Sequence, residues 1–167
     1  MLALGIDPGT ATTGYGLVRE DGDGALEMVG CGVITTLAGV PMPERLVELH
    51  KGIADLVAKY QPTQAAVEKL FFQKNVKTAI TVAQGRGVAI LALAQAGLTV
   101  GEYTPLEIKQ SIAGYGGADK YQVQQMVRAL LNLADIPKPD DAADALAIAI
   151  CHLHSARTRQ LYGIANA

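Results

Sequence analysis

The sequence predicts an α/β domain on a five-stranded mixed sheet, an antiparallel three-strand meander plus two parallel strands, flanked by helices. Three observations carry that prediction. Residues 2–34 alternate apolar runs with Asp7-Pro8-Gly9 and Asp21-Gly22-Asp23-Gly24, the pattern of strands joined by tight turns. From Met42, apolar residues recur at steps of four and three, the period of an amphipathic helix. Two later apolar runs, 65–68 and 98–103, each follow a helical stretch, as parallel strands with helical crossovers do.

The first strand, residues 2–6, is apolar throughout and so is buried on both faces. It leaves Asp7 at the carboxyl end of a central strand, where open α/β sheets place ligand sites. The plainer alternative is an Asp that caps a turn before Pro-Gly. Thr10, Thr12, Thr13, Gly14 and Gly16 read as a small polar loop that lets a phosphate or metal approach the backbone. Residues 14–20 and 26–34 form the second and third strands. The helix that starts at Met42 carries Leu46, Leu49, Ile53, Leu56 and Tyr60 on its apolar face and ends at Gln61-Pro62.

Residues 65–68 repeat the form of the first strand and end in Glu68. A parallel placement puts Glu68 near Asp7. Leu70, Phe71, Phe72, Gln73, Lys74 and Asn75 follow as a loop, whose adjacent aromatics suit an apolar wedge or a base-stacking platform. Core packing of either ring is the competing reading. A helix over 76–96 has Asn75 as its cap. Gln84-Gly85-Arg86-Gly87 interrupts it, and mid-helix Gly costs about 1 kcal/mol relative to Ala, so a close neighbour is expected: the sheet or a second copy of the chain. Thr104-Pro105-Leu106-Glu107 is a capping box opening a helix that carries Lys109 and ends by Gly114. Asp119 caps the next helix, with Val123, Met126, Val127, Leu130 and Leu131 on one face. Lys120 stands in its first turn, where the dipole disfavours positive charge; an anion partner or simple surface exposure would account for it. After Pro137-Lys138-Pro139 the last helix runs from Asp140 to about His154.

With 167 residues, the chain is expected to be a single domain over 1–155, with 156–167 as a mobile tail. Half the residues are hydrophobic and 18% are charged, which excludes a disordered or disulfide-built chain. Cys31 and Cys151 form no CxxC pair and suggest a reducing compartment. Met1 leads straight into a strand carrying Asp7, so no signal peptide is expected. No apolar run reaches the roughly 18 residues of a membrane helix, so no membrane partner is expected and the expected location is cytoplasmic. A net charge of −2 counts mildly against a generic nucleic-acid coat.

Asp140, Asp141 and Asp144 crowd the start of the last helix. Asp141 and Asp144 share a face, with Cβ atoms roughly 5–6 Å apart, and repel unless a cation sits between them. Asp140 is better explained as the N-cap. With Asp7 and Glu68 the pair makes four carboxylates from three elements, hard ligands suited to Mg²⁺ or Mn²⁺. Two such ions about 4 Å apart stabilise the attacking and leaving oxygens of a phosphodiester displacement. Cys151, His152 and His154 lie at helical spacing that does not converge on a soft metal, and an ordinary helix end explains them.

The motifs GIDPGTATTGYG, EKLFF with KN shortly after, AQGRG and DAADALAIAICH, in this order from Leu4 to about His154, resemble the RuvC family of Holliday-junction resolvases. The resemblance implies a ribonuclease H-like fold and a homodimeric Mg²⁺-dependent endonuclease, with Mn²⁺ able to substitute, that nicks four-way junction DNA in recombination and repair. It implies Asp7, Glu68, Asp141 and Asp144 as the metal-binding catalytic acids, two ions per site, with 5′-phosphate and 3′-hydroxyl products. Phe71 matches a DNA-contacting aromatic, with Phe72 beside it. Lys109 and Lys120 match basic residues near the scissile phosphate, Lys120 in a catalytic role, while Lys74, Lys77 and Arg86 would track the DNA backbone. A RuvA–RuvB type branch-migration complex is the implied partner, acting at the bacterial nucleoid. The family commonly reads GQARG where this chain has Ala83 to Gly87 as AQGRG, so the dimer contact would differ in detail. An actin-like phosphotransferase also opens with an Asp-x-Gly loop but needs a second phosphate loop, which is not seen here. A non-catalytic junction-binding relative would be marked by lost acids.

Overall fold

The computed structural model describes residues 1–69 and 76–163, without the side chains of 76–78. Its strands are β1 (Leu2–Asp7), β2 (Thr12–Glu20), β3 (Leu26–Thr35), β4 (Gln64–Glu68) and β5 (Val100–Tyr103). Its helices are α1 (Met42–Tyr60), α2 (Val76–Gln95), α3 (Pro105–Ala113), α4 (Lys120–Leu130) and α5 (Asp140–Tyr162). The sheet order is β3-β2-β1-β4-β5. β1–β2 and β2–β3 pair antiparallel, whereas β1–β4 and β4–β5 pair parallel, so the mixed sheet is as expected. β1 is central, and the parallel register Ile6↔Val67 brings the ends of β1 and β4, with Asp7 and Glu68, level with each other.

Alternation along the strands divides the core between the two sheet faces. Leu4, Ile6, Leu17, Ala65 and Val67 pack with Leu49 and Ile53 of α1 and Leu93 of α2. Ala3, Val18, Ala66 and Tyr103 face the opposite way, against α3, α4 and α5. Asp7 and Glu68 follow the parity of Ala3 and Ala66, so they belong to the α5 face.

Local signals set most boundaries. Asp21 Oδ1 accepts hydrogen bonds from the backbone N–H groups of Asp23 (3.0 Å) and Ala25 (2.9 Å) and closes the first hairpin. Gln61, at φ 50°, ends α1 and donates its N–H to the Val57 carbonyl at 2.9 Å. Thr104 with Glu107, and Asp119 with Gln122, form reciprocal capping boxes on α3 and α4.

Four expectations are corrected. β2 begins at Thr12, two residues before the expected start at residue 14, so Thr12 and Thr13 belong to the strand and no ligand loop includes Gly14 and Gly16. What approaches their backbone is α5: a Cβ on Gly14 would overlap the Asp141 carbonyl oxygen, and one on Gly16 would overlap Leu146 N. The fifth strand begins at Val100, two residues later than expected. Asp140 is not the cap of α5; Pro139 is, with no side-chain capping bond. Finally, α5 continues past His154 to Tyr162. Apolar periodicity stops there, but Thr158 Oγ1 donates to the His154 carbonyl (2.8 Å) and Arg157 reaches Glu20 (3.7 Å), so the helix runs on without a core face.

Candidate active site

The close seating of α5 builds the site. Gly5 lies under the Ala145 carbonyl and Ala149 N, as Gly14 lies under Asp141. A helix axis that rests on glycines comes nearer the sheet than side chains would allow. The N-terminal turns of α5 are thereby lowered onto the carboxyl end of β1, since Gly14 is the register partner of Asp7.

Asp7, Glu68 and Asp144 line one pocket of about 210 Å³ with Lys109 and Lys120. Its remaining wall is apolar, with Pro105 and Ile108 of α3, Val123 of α4, and Ala147 and Ile148 of α5. Asp141, one turn before Asp144, does not line this pocket but adds its charge to Asp7 from the Gly14 side.

Burial, then Glu68, Asp144 and Asp141 in that order, pushes the Asp7 carboxyl up to about 7, with Lys120 partly offsetting them. Burial and Asp144 raise Glu68, against the pull of Lys109. Burial also raises Asp144, although Lys120 pulls it down. Acids held above their usual range by burial and one another are a site where added positive charge is favoured. Among the described residues, no three His, Cys, Asp or Glu side chains already stand as a metal cage. The donor chemistry nevertheless fits a hard divalent cation: partly buried carboxylate oxygens, with no thiolate or imidazole on the pocket wall.

Lys120 has its anion partner within the protein. Its ammonium lies 3.0 Å from Asp144 Oδ2 and 3.7 Å from Asp140 Oδ2, which explains a cation at the first position of a helix. Arg86, expected to track DNA, is engaged within the chain. Its Nε donates to the Glu68 carbonyl (2.9 Å) and its Nη2 pairs with Glu102, so the guanidinium ties α2 to β4 and β5. Gly85 packs against Gly9 and Thr10 of the β1–β2 loop, which identifies the sheet side as its close neighbour. Phe71, Phe72, Lys74 and Asn75 lie outside the described residues, as does the side chain of Lys77.

Two features escaped the sequence. The apolar pocket wall comes from positions that look like ordinary core. His152 is buried, and its ring links Tyr103 Oη (2.9 Å, at Nδ1) to Gln64 Oε1 (2.7 Å, at Nε2) above Gly101. The helical pattern indicates that position 152 is near the core but not which polar groups await it.

The family model described as crossover junction endodeoxyribonuclease RuvC matches residues 3–152. A crossover junction endodeoxyribonuclease RuvC of Chloroflexus aggregans is 61% identical over 164 residues, 98% of this chain and 99% of that one. A solved structure of Thermus thermophilus RuvC superposes with a TM-score of 0.88 at 37% identity, covering 95% of this chain and 96% of that one. The same protein in complex with a Holliday junction substrate superposes at 0.86, with 33% identity and the same coverage.

Proposed function

The chain belongs to the crossover junction endodeoxyribonuclease RuvC family, and on that premise we propose that it resolves four-way (Holliday) DNA junctions by paired, symmetric nicks. The observation that carries this reading is the convergence of Asp7, Glu68 and Asp144 with Lys109 and Lys120 around one pocket. An acidic pocket edged by cations suits a phosphodiester brought in together with metal.

In this reading Asp7, Glu68, Asp141 and Asp144 would hold divalent ions, two Mg²⁺ per site, with Mn²⁺ able to replace them. Such ions would supply Lewis-acid activation of a water and neutralisation of the phosphoryl oxygens. Lys120 and Lys109 hold the scissile phosphate by charge-assisted hydrogen bonds and stabilise the charge that builds on it. Cleavage leaves a 5′-phosphate and a 3′-hydroxyl. The apolar wall from Ile108 to Ile148 keeps bulk water from one side of the pocket, which strengthens each electrostatic contact inside it. Phe71, with Phe72, stacks on bases near the junction centre, while Lys74 and Lys77 track the backbone.

We place the chemistry in a single domain of a cytoplasmic protein that acts as a homodimer. A two-fold dimer matches the two-fold symmetry of a junction. Support comes from one stripe of α2, where Ile80 and Leu91 are 59% and 51% exposed and Gly87 opens onto free space. A RuvA–RuvB type complex would supply the junction. No helix among the described residues is long and apolar enough to cross a membrane.

The test is incubation with a synthetic junction carrying a mobile core, in Mg²⁺, Mn²⁺ or chelator, beside Asp7→Asn. Paired nicks that require metal and vanish in the variant bear out the proposal. Binding without nicks under any metal leaves a junction-binding module, and no binding at all sinks both.

A further inference from the structure

Lys120 Nζ is shared between two carboxylates of α5 that differ in position. Asp144 lines the pocket and its side chain is 33% exposed. Asp140 lies off the pocket, is 48% exposed, and holds Lys138 through its other oxygen at 3.0 Å. The contact to Asp144 is the shorter, at 3.0 Å against 3.7 Å. In this arrangement one oxygen of Asp144, Oδ2, is held by an ammonium. A divalent ion on Asp144 competes with Lys120 for the charge of that carboxylate and repels the ammonium. Metal binding therefore loosens the hold of Asp144 on Lys120. The ammonium need not travel far, because Asp140 Oδ2 already stands within reach. Asp140 thereby acquires a role that neither capping nor metal binding supplies.

We propose that Lys120 is an exchangeable counter-ion of the acid cluster: it neutralises Asp144 until a divalent ion takes that carboxylate, and Asp140 then retains it at the pocket mouth. The inference rests on the reading of these acids as a metal site. It makes Asp140 a positioning residue, and it delivers the lysine that faces the incoming phosphate as a consequence of metal loading. An ammonium that swaps from carboxylate to carboxylate also keeps the acids neutralised while the ion is absent, which their mutual repulsion requires.

The experiment titrates the full chain, without DNA, with Mn²⁺ by calorimetry and by electron paramagnetic resonance of the free ion. Lys120→Met should bind Mn²⁺ about two- to fivefold more tightly than the parent, the span of one partly exposed ion pair. Lys120→Arg, which keeps the ion pair, should stay at the parent value, and circular dichroism melts confirm that each variant folds. Asp140→Asn should weaken Mn²⁺ binding in the parent, because Lys120 then rests wholly on Asp144. It should weaken binding less in the Lys120→Met background, where only its through-space charge is lost. Unchanged or weaker affinity in Lys120→Met overturns the exchange. Equal losses from Asp140→Asn in both backgrounds overturn the part given to Asp140. If Asp7→Asn binds Mn²⁺ as tightly as the parent, the metal-site reading itself fails, and the exchange with it.

Discussion

The Cα of Gly14 sits against the backbone of Asp141, so closely that any side chain on it would overlap the Asp141 carbonyl oxygen. Gly14 is also the register partner of Asp7. One glycine therefore separates two proposed catalytic acids from different elements, and the spacing of helix and sheet at that point is a property of the site. Gly5 and Gly16 continue the same seat beneath α5.

Gly14→Ala should accordingly lift the first turn of α5. Overpacking of a tight contact costs about 1–3 kcal/mol, readable by urea denaturation. Junction cleavage should fall further than stability explains, because Asp141 and Asp144 move away from Asp7 together. Gly22→Ala, where an added Cβ meets nothing within 4 Å, is the matched control and should leave cleavage intact. Full activity in a folded Gly14→Ala protein would refute the link between seat and site.

The raised carboxyl of Asp7 predicts a pH trend in stability. Burial and the neighbouring acids hold it at about 7, against 3.8 for a free side chain. Between those values the folded chain keeps a proton that the unfolded chain has released. Asp7 therefore stabilises the fold less as pH rises through that window, and the effect levels off above about 7. Asp7→Asn abolishes the titration. Its stability relative to the parent should rise from pH 4 to 7 in chelator and then stay level, as read by melts across that range. A flat difference would mean that the Asp7 charge is not opposed by its surroundings.

What was legible from residues alone had local chemistry. Asp7 after an apolar run, the Thr104 box, the Asp119 cap and the Asp21 hairpin each need only neighbouring residues, and each is where it was expected. What was not legible depends on the partner. Gly14 and Gly16 signal a close approach but not by whom, so a helix backbone was read as a ligand. Arg86 looks like any exposed cation until β5 supplies Glu102. Asp140 has the chemistry of a cap, yet Lys120 from another helix and Lys138 engage it. The last turns of α5 carry no apolar period, so nothing in the residues marked their continuation.

His152 offers a test of the buried polar link. Its ring joins Tyr103, the register partner of Glu68, to Gln64 at the other end of β4. His152→Phe leaves Tyr103 Oη and the Gln64 amide without these partners and should cost about 2 kcal/mol. Tyr103→Phe should cost about 1 kcal/mol, and the double variant less than the sum. Burial pushes His152 down to about 4 from 6.5, so the folded chain refuses a proton that the unfolded chain accepts. This stabilisation is present above about 6.5 and is lost as pH falls toward 4. The parent should thus lose stability relative to His152→Phe on acidification, the opposite trend to that of Asp7. Additive costs in the double variant would show that the two side chains act separately.

Arg86 separates a structural cation from a DNA-binding one. A side chain that neutralises a DNA phosphate contributes about one unit to the slope of log affinity against log salt. Arg86 gives its Nε–H to the Glu68 carbonyl and pairs Nη2 with Glu102, and its side chain is 19% exposed. Arg86→Met should therefore leave the salt slope of junction binding unchanged. It should lower stability by about 1–3 kcal/mol, since Glu102 loses its partner and the Glu68 carbonyl loses its donor. Cleavage should fall with it, because that carbonyl belongs to the residue that carries a proposed metal ligand. Junction binding measured at several salt concentrations, with urea denaturation beside it, decides the matter: a slope reduced by about one unit with unchanged stability would return Arg86 to the DNA surface.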